Sequence, residues 1–302
     1  MLTIPDTRVV YAIGPDAAPA ATCRPGDLVE FETKDCFGNQ IEKECDLFEN
    51  VGWSTINPAT GPLYVEGAVP GDTLKVTVEN IEVRPYGVMV AVPKLGAFGH
   101  LIKESSTRIV PVHGGQAHFS PSISFPLDPM IGVIGTAPAF EAVLCGTPGP
   151  HGGNMDTRHI RKGASVYLPV SVPGALLCIG DLHAVMADGE VVVCGVEVSG
   201  KVSVRIDVLK SIVLPCPVVE DAENTYFLSS AEDLDEASNQ VLEAALYHIM
   251  SRTGMALEEV AMLLSLTGHL EISQIVDPLR TARLRIPAPV GKKLGIRLSP
   301  ER

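Results

Sequence analysis

The sequence lacks the features of several large protein classes. No apolar run approaches the roughly 18 residues that a membrane-spanning helix needs. The opening residues MLTIPDTRVV have neither the basic start nor the apolar stretch of a signal peptide. Lysine and arginine number 23 against 36 aspartates and glutamates, a net charge of −13, whereas nucleic-acid binders need positive charge to neutralise phosphates. We therefore expect no membrane and no nucleic acid among its partners.

Closely spaced cysteine pairs are also missing. The seven cysteines of the 302-residue chain form no CxxC pair, and an odd number cannot all be bridged within one chain. Without a disulfide or metal-motif spacing, most of these thiols are expected to pack as small buried apolar groups. The pattern predicts a reduced, cytoplasmic protein.

Short segments with alternating apolar and polar residues run through the first 220 residues. Clear examples are residues 29–33, 74–78 and 202–208, where every second side chain is apolar or β-branched. Pro-Gly-Asp turns precede the first two, at 25–27 and 70–72. Alternation of this kind is typical of half-buried strands, and many short strands separated by turns predict a β-sandwich or barrel.

The composition changes after about Pro217, where apolar residues recur at helical spacing. Ser230 opens a Ser-Ala-Glu-Asp sequence that is typical of a helix start. The predicted elements are a helix from about 234 that ends at Gly254, a helix over about 257–266 that ends at Gly268, and strands at 271–276 and 281–286.

These patterns divide the chain into three parts. Residues 1–220 are predicted to form a β-rich body that carries the functional motifs. Residues 221–290 are predicted to form an α/β element with two helices, packed on the same unit. The tail, residues 291–302, has few apolar residues, and we expect it to be flexible.

The segment GDLHAVMADGE (180–190) carries the most informative polar residues. Asp181 and His183 are two positions apart, so in a strand they project from the same face. Carboxylate oxygens combined with an imidazole suit a divalent ion such as zinc. A polar hairpin with a hydrogen-bonded histidine has the same spacing, so the residues alone leave both interpretations open.

The same segment contains a hairpin-turn signal. Asp188-Gly189 is typical of a two-residue turn in which both residues have positive φ. Such a turn would pair Ala187 with Glu190 and place His183 opposite Cys194. Ala187 would then lie in the strand, with negative φ.

A second segment, GTPGPHGGNMD (146–156), surrounds His151 with glycine and proline. Functional side chains are often mounted on tightly specified loops of this kind. Asp156 can orient a histidine or bind metal, and the amide of Asn154 can donate to an oxyanion. In the alternative interpretation, the segment is a multiple turn whose polar side chains bind only backbone groups.

The third segment, TKDCFGNQ (33–40), follows the first alternating strand. Asp35 and Gln40 lie where the strand leaves the sheet, and taken alone they favour an ordinary surface turn.

At these three segments the sequence resembles the acetamidase/formamidase family of metal-dependent amide hydrolases. The matching stretches are long and follow one another over about residues 8 to 290. They are ETKDCFGNQI (32–41), INPATGPLYVEGAVPGD (56–72), DPMIGVIGTAP (128–138), CGTPGPHGGNMD (145–156), VYLPVSVPGALLCIGDLHAVMADGE (166–190) and LLSLTGHLEISQIVDP (263–278). The resemblance implies a mainly β, sandwich- or barrel-like fold with a C-terminal α/β element, in agreement with the patterns above.

The resemblance also implies that the three segments share one site, occupied by a divalent metal ion. Zinc is the first candidate and calcium the second. The candidate metal ligands are Asp35, His151, Asp181 and His183. The candidate catalytic residues are Glu190 as general base and then acid, Asn154 at the oxyanion, and Asp156 as the residue that orients His151.

The implied reaction is hydrolysis of a short carboxamide, such as acetamide or formamide, to carboxylate and ammonia. We expect the enzyme to be a homodimer. Two positions depart from the family pattern: Ala187 replaces a glycine, and Arg8 stands where relatives often have histidine. These departures keep open a first alternative, a non-catalytic protein of the same fold that binds a metal or a small ligand. A second alternative is a cysteine-dependent amidase that uses Cys36 or Cys45.

Overall fold

The computed structural model describes residues 1–298, which form mainly β-strands. In chain order the strands are β1 (Leu2–Ile4), β2 (Val9–Val10), β3 (Ala12–Ile13), β4 (Ala21–Cys23), β5 (Leu28–Thr33), β6 (Ala59–Val65), β7 (Thr73–Val83), β8 (Tyr86–Ala91), β9 (Ser106–His113), β10 (Gln116–Ser120), β11 (Ile123–Pro126), β12 (Met130–Gly135), β13 (Val143–Leu144), β14 (Gly152–Asn154), β15 (Ser165–Pro169), β16 (Leu177–His183), β17 (Glu197–Val198), β18 (Gly200–Leu209), β19 (Val218–Glu220), β20 (Asn224–Ala231), β21 (His269–Gln274) and β22 (Arg280–Pro287). The helices are α1 (Leu234–Thr253), α2 (Leu257–Thr267) and α3 (Ala288–Lys293), and short 3₁₀ turns lie at Phe48–Asn50 and Trp53–Thr55. Within the described residues, none of the helices combines the length and apolar character needed to cross a membrane.

Two large sheets form the body of the molecule. The first has the strand order β1-β5-β18-β7-β15-β19-β20-β22-β21. The second follows the path β11-β10-β9-β8-β17-β16-β12-β14, and β6 joins it by pairing with β16 while also pairing with β2 and β4. Buried side chains from both sheets meet in one core, including Phe31 and Val204 from the first and Ile131 and Leu182 from the second. The predicted mainly β architecture is confirmed.

The alternating segments of the sequence are strands of the first sheet. In β5, Val29, Phe31 and Thr33 are buried, whereas Glu30 and Glu32 between them are only half-buried. The apolar positions of β7 and β18 are buried in the same core. Period-two burial follows from the pleat of a strand, which sends successive side chains to opposite faces.

The C-terminal part extends the first sheet and covers it with helices. Strand β19 pairs with β15 of the body, and β20 and β22 follow. The buried side of α1, which includes Ala237, Val241 and Ile249, packs over β20 and β22. Both predicted helices are confirmed; α1 ends at Gly254, which has the left-handed φ of 69° that commonly stops a helix.

The start of α1 differs from the prediction. Asp233 caps the helix, and its side chain accepts a hydrogen bond from the Glu236 N–H at 2.8 Å. Ser230 lies in β20, where its hydroxyl is 2.9 Å from that of Thr281. The strand continues to Ala231, so Ser230 is not available as a cap.

The tail also differs, as far as it is described. Leu294 and Ile296 are buried against the same core as the helices, because α3 turns the chain back onto the sheet. The expectation of a loosely packed tail is therefore wrong for residues 291–298. Residues 299–302 lie outside the described part of the chain.

All seven cysteines are free thiols, and all except Cys45 are buried. This confirms the expectation that most of them pack as small apolar groups.

Candidate active site

Strand β16 carries the first two predicted ligands side by side. Asp181 and His183 are 3% and 1% exposed. The ladder between β12 and β16 pairs Ile131 with Leu182 and Val133 with Gly180. Asp181 has a left-handed φ of 54°, which is uncommon for a residue with a Cβ. The strand is therefore distorted at the carboxylate.

Gly132 on β12 makes room for two of the carboxylates. A Cβ at this position would lie 2.4 Å from Asp181 Oδ2 and 2.5 Å from Asp156 Oδ1. Carboxylate oxygens thus occupy the space that the Cβ of any other residue at position 132 would need. Strand β12 passes so close to the site because it has a glycine there.

The predicted two-residue hairpin after β16 is wrong. His183 pairs with Glu197 and Leu182 with Val198, a shift of three positions from the expected partner Cys194. Residues 184–196 form a long loop in which Gly189 and Glu190 have positive φ, of 94° and 47°, whereas Asp188 does not. The loop contains more residues than a tight turn, so a carboxylate rather than a thiol lies beside His183.

The φ of Ala187 is not positive, as expected, but the residue lies in the loop and not in the strand, which ends at His183. Alanine is therefore unstrained at this position.

The imidazole of His183 is surrounded by carboxylates. Its Nε2 lies 3.0 Å from Glu197 Oε1, 3.6 Å from Asp181 Oδ1, 3.8 Å from Glu190 Oε1 and 3.9 Å from Asp156 Oδ1. All five side chains are at most 7% exposed. In residues 1–298, neither lysine nor arginine forms an ion pair with these four carboxylates.

Within the described chain, two groups of three side chains could each hold a metal ion. Asp156, His183 and Glu190 form one group, and Cys36, Asp181 and Glu197 form the other. In each group the three ligand atoms lie within 4.8 Å of one another. The structure therefore brings Asp156, Asp181, His183 and Glu190 together, whereas the predicted ligands Asp35 and His151 belong to neither group.

Asp35 and His151 are buried, with different surroundings. Asp35 Oδ1 accepts hydrogen bonds from the N–H groups of Phe37 and Asn39, at 3.0 and 2.7 Å, and so stabilises the loop after β5. Burial raises the pKa of Asp35 to about 6. Burial lowers the pKa of His151 to about 4, which keeps the imidazole neutral at pH 7.

Of the two roles predicted for the His151 segment, that of Asp156 needs correction and that of Asn154 stays a prediction. Neither oxygen of Asp156 accepts a hydrogen bond from another described residue, so Asp156 does not orient His151. The φ of 40° at Asp156 instead places its carboxylate beside His183. Asn154 Nδ2 already donates to Asp277 Oδ2 at 3.0 Å, which leaves one amide hydrogen for another acceptor.

The electrostatics of the cluster favour bound protons over negative charge. Burial, followed by the charge of Asp181, raises the pKa of Asp156 to about 6. Burial is also the main cause that raises the pKa of Glu197 to about 8 and that of Glu190 well above its ordinary value. Burial alone would lower the pKa of His183, but the Glu197 and Asp181 carboxylates raise it well above the usual range.

The donor atoms of the cluster fit a divalent ion. Many of its buried polar atoms lack a hydrogen-bond partner in the described chain: both oxygens of Asp156, Asp181 Oδ1, His183 Nε2, Glu190 Oε2 and Glu197 Oε2. Buried polar groups without partners are costly, and an ion satisfies several of them at once. Carboxylate oxygens with one imidazole suit zinc, and a carboxylate-rich set also accommodates calcium.

Comparison with known proteins agrees with this architecture. The model of the acetamidase/formamidase family matches residues 7–144 and 139–290. The chain belongs to the acetamidase/formamidase family. The crystal structure of an acetamidase from Bacillus halodurans has a TM-score of 0.96 and 44% identity, over 97% of this chain and 100% of that one.

More distant relatives in the family are longer. A Schizosaccharomyces pombe relative is 28% identical over 65% of this chain and 63% of its own length. An acetamidase of Mycolicibacterium smegmatis is 25% identical over 65% of this chain and 64% of its own length. The chain thus spans slightly less than two thirds of the length of these two proteins.

Sequence reasoning missed three residues that lie in or beside this cluster. Glu197 is a lone acidic residue between Val196 and Val198, and no motif spacing in the sequence links it to His183. Asp277 closes the family motif at 263–278, and burial and the Asp156 charge raise its pKa well above the ordinary value. Cys36 was considered only as a nucleophile, although its thiol belongs to a ligand group.

We predict that Ala187→Gly lowers stability and leaves activity unchanged. The residue is exposed and has no positive φ. Glycine therefore acts only by raising the conformational entropy of the unfolded chain, which lowers the free energy of unfolding by about 1 kcal/mol or less. Denaturant unfolding checks this, with Ala222→Gly in another exposed loop as the matched control. A variant that is both more stable and faster would contradict the expectation.

We also predict that the metal-free protein loses thermal stability as the pH rises from 6 to 8.5. The pKa values of Asp156, about 6, and Glu197, about 8, exceed those of unfolded carboxyls. The folded state therefore binds more protons in this window, and removing protons favours unfolding. The raised pKa of His183 acts in the same direction.

Thermal unfolding at several pH values, with and without added divalent ion, tests this. A bound ion replaces the protons, so the Tm of loaded protein should depend less on pH. Glu197→Gln should flatten the slope of the metal-free protein. Equal slopes for both forms would show that protons and metal do not compete for this cluster.

Proposed function

We propose that this protein hydrolyses a short carboxamide to carboxylate and ammonia with the help of a divalent metal ion, zinc first and calcium second. The main support is the placement of four carboxylates within 3.9 Å of His183 Nε2, buried together and without a lysine or arginine partner in the described chain. Membership of a family whose members are named for acetamide and formamide hydrolysis gives the reaction class.

In this proposal, His183 Nε2 and the carboxylates of Asp156 and Asp181 hold the ion. An ion held there would polarise the amide carbonyl and lower the pKa of water towards neutrality. Asp35 and His151 are kept as further candidate ligands, because both are buried and the neutral imidazole of His151 has a free Nε2 among the described residues.

Glu190 is the proposed general base and then acid. As its ionised carboxylate, it accepts a proton from water while the water oxygen forms a bond to the amide carbon. The same proton then passes to the leaving nitrogen as the C–N bond breaks, and ammonia departs. A pKa well above the ordinary value suits a group that must accept and return a proton near neutral pH.

Asn154 is the proposed oxyanion donor. One hydrogen of its amide is held by Asp277 at 3.0 Å, which fixes the plane of the amide. The second hydrogen can donate to the oxygen that gains charge during attack.

A short acyl group is proposed because relatives of this chain are named acetamidase and formamidase. Assembly as a homodimer and location in the cytoplasm stay predictions.

The alternative of a cysteine-dependent amidase receives no support at Cys36. Burial, followed by the Glu197 charge, raises the pKa of this thiol well above its ordinary value, whereas thiol nucleophiles need a lowered pKa. The departure at Arg8 lies at the surface, since the side chain is exposed.

We expect prolonged chelation to abolish ammonia release from acetamide or formamide, and a divalent ion to restore it. The reason is that amide hydrolysis needs an activated carbonyl and an activated water. Metal analysis alongside an ammonia assay measures both. Full activity in verified metal-free protein would end the metal hypothesis. Stoichiometric metal without ammonia release from any small amide would favour the non-catalytic alternative.

A pair of variants should separate ligand from base. His183→Ala should lose both metal and rate, since a ligand is removed. Glu190→Gln should keep the metal and lose rate by about 10²–10⁴-fold, the usual contribution of general acid–base catalysis. Glu79→Gln, which alters a remote surface ion pair with Arg205, is the control and should change neither.

Metal content after purification decides the assignment of Glu190. If Glu190→Gln protein arrives without metal, Glu190 is a ligand and another carboxylate must act as the base.

A further inference from the structure

Arg283, on β22, is the largest fully buried side chain of the described chain, at 1% exposure. Its guanidinium donates from Nη2 to Asp188 Oδ2 at 2.7 Å and from Nε to Glu271 Oε2 at 2.9 Å. Its Nη1 donates to the Ile272 carbonyl at 2.9 Å and to Ser273 Oγ at 3.2 Å. A buried arginine with this many partners holds several segments in fixed relative positions.

One of these segments carries Glu190. Asp188, which Arg283 holds, lies two residues before Glu190 in the loop after β16. The backbone between them is tied to β21, because Gly189 N–H donates to the Ser273 carbonyl at 2.8 Å. Glu190 has a left-handed φ of 47°, a conformation that persists only when surrounding contacts enforce it.

The second segment carries Asp156. The hydroxyl of Thr157, the next residue, donates to Ser273 Oγ at 2.8 Å, and the same oxygen accepts from Arg283. Asp156 also has a left-handed φ, of 40°. Arg283 is therefore linked to both strained carboxylate residues of the ligand group that includes His183.

Arg285 shows that this arrangement is specific to one position. It lies two residues further along β22 and donates to Glu271 Oε1 at 2.6 Å. Its other described partner is Asn224, so it shares Glu271 with Arg283 and does not reach the loop that carries Glu190. The strand thus supplies two arginines, and one of them connects to the site.

We propose that Arg283 is a positioning residue that sets the directions of the Asp156 and Glu190 carboxylates. Through Asp156, a proposed ligand, it sets the affinity of the site for a divalent ion, and through Glu190 it sets the placement of the proposed base. The inference rests on the proposed metal site. Groups that orient metal ligands from outside typically change metal affinity by about 10–100-fold when they are removed.

The experiment uses Asp188→Ala in the full chain. Within the described residues, the side chain of Asp188 bonds to Arg283 alone, and it is 42% exposed, so water can replace it and the protein should fold. Glu79→Ala is the control for loss of a half-exposed carboxylate from an arginine pair, because Glu79 is 35% exposed and pairs with Arg205, which is itself 45% exposed. Asp188→Glu keeps the carboxylate and serves as the conservative variant.

Two measurements are made on each protein. The first is the Kd for Zn²⁺, from competition with a chromophoric chelator. The second is amide hydrogen exchange at Gly189 and Ile275 in metal-free protein, since these amides tie the loop to β21. Without Asp188 the guanidinium is free to shift from Ser273 Oγ, which Thr157 contacts beside the ligand Asp156. We therefore expect Asp188→Ala to weaken Zn²⁺ binding by about 10-fold or more and to speed exchange at both amides. Glu79→Ala should match the wild type, and Asp188→Glu should lie close to it.

The outcomes separate this inference from the proposed function. If the wild type binds Zn²⁺ and Asp188→Ala binds it equally well with unchanged exchange, Arg283 has no positioning role. If the wild type binds no divalent ion, the proposed function fails, and unchanged exchange in Asp188→Ala would then also overturn the positioning role.

A second pair of variants tests the arginine directly. Arg283→Lys keeps the charge but cannot donate to all of these partners, whereas Arg285→Lys changes the neighbouring arginine only. A loss of Zn²⁺ affinity in Arg283→Lys alone supports the inference. Equal loss in both variants would indicate a general effect of weakening β22 and would overturn it.

Discussion

The crowding of carboxylates around one buried imidazole is the constraint on which the rest of the structure depends. Four acidic side chains lie within 3.9 Å of His183 Nε2 where water is excluded. Such a cluster is stable only if protons or a cation balance its charge. The raised pKa values of Asp156 and Glu197 favour bound protons in the cluster. The oxygens that lack a hydrogen-bond partner in the described chain are suited to bind a cation.

The scaffold accepts local strain to create this crowding. Asp156, Asp181 and Glu190 all have left-handed φ angles, at a cost of about 1–3 kcal/mol each. Gly132 removes the one Cβ that would collide with two of the carboxylates. The fold tolerates this backbone strain because the site lies on a sheet whose other face packs into a large, stabilising apolar core. Strand β16 holds Asp181 directly, whereas Asp156 and Glu190 lie in loops that depend on contacts with neighbouring segments.

Much of the fold could be predicted from the sequence, because apolar and polar residues alternate in β5 and over residues 74–78 and 202–208, and α1 has a clear apolar stripe. Within the site, Asp181 and His183 were predictable from their spacing on one strand. Glu197 was not, because its pairing with His183 depends on a long loop in which Glu190 has positive φ. A dipeptide turn signal does not reveal that conformation, which tertiary contacts enforce.

Those tertiary contacts come from the C-terminal element, which the sequence pattern separates from the site. Its helices cover the first sheet, as an amphipathic stripe suggests, and its strands also contact the candidate site. Through Arg283 and Ser273 they bond to the loops of both Asp188 and Thr157, and Asp277 binds Asn154 directly. The amino-acid composition changes near residue 220, but the candidate site contains residues from both sides of this position. The β-rich body presents the carboxylates, and the α/β element holds two of them in the conformation that brings them to His183.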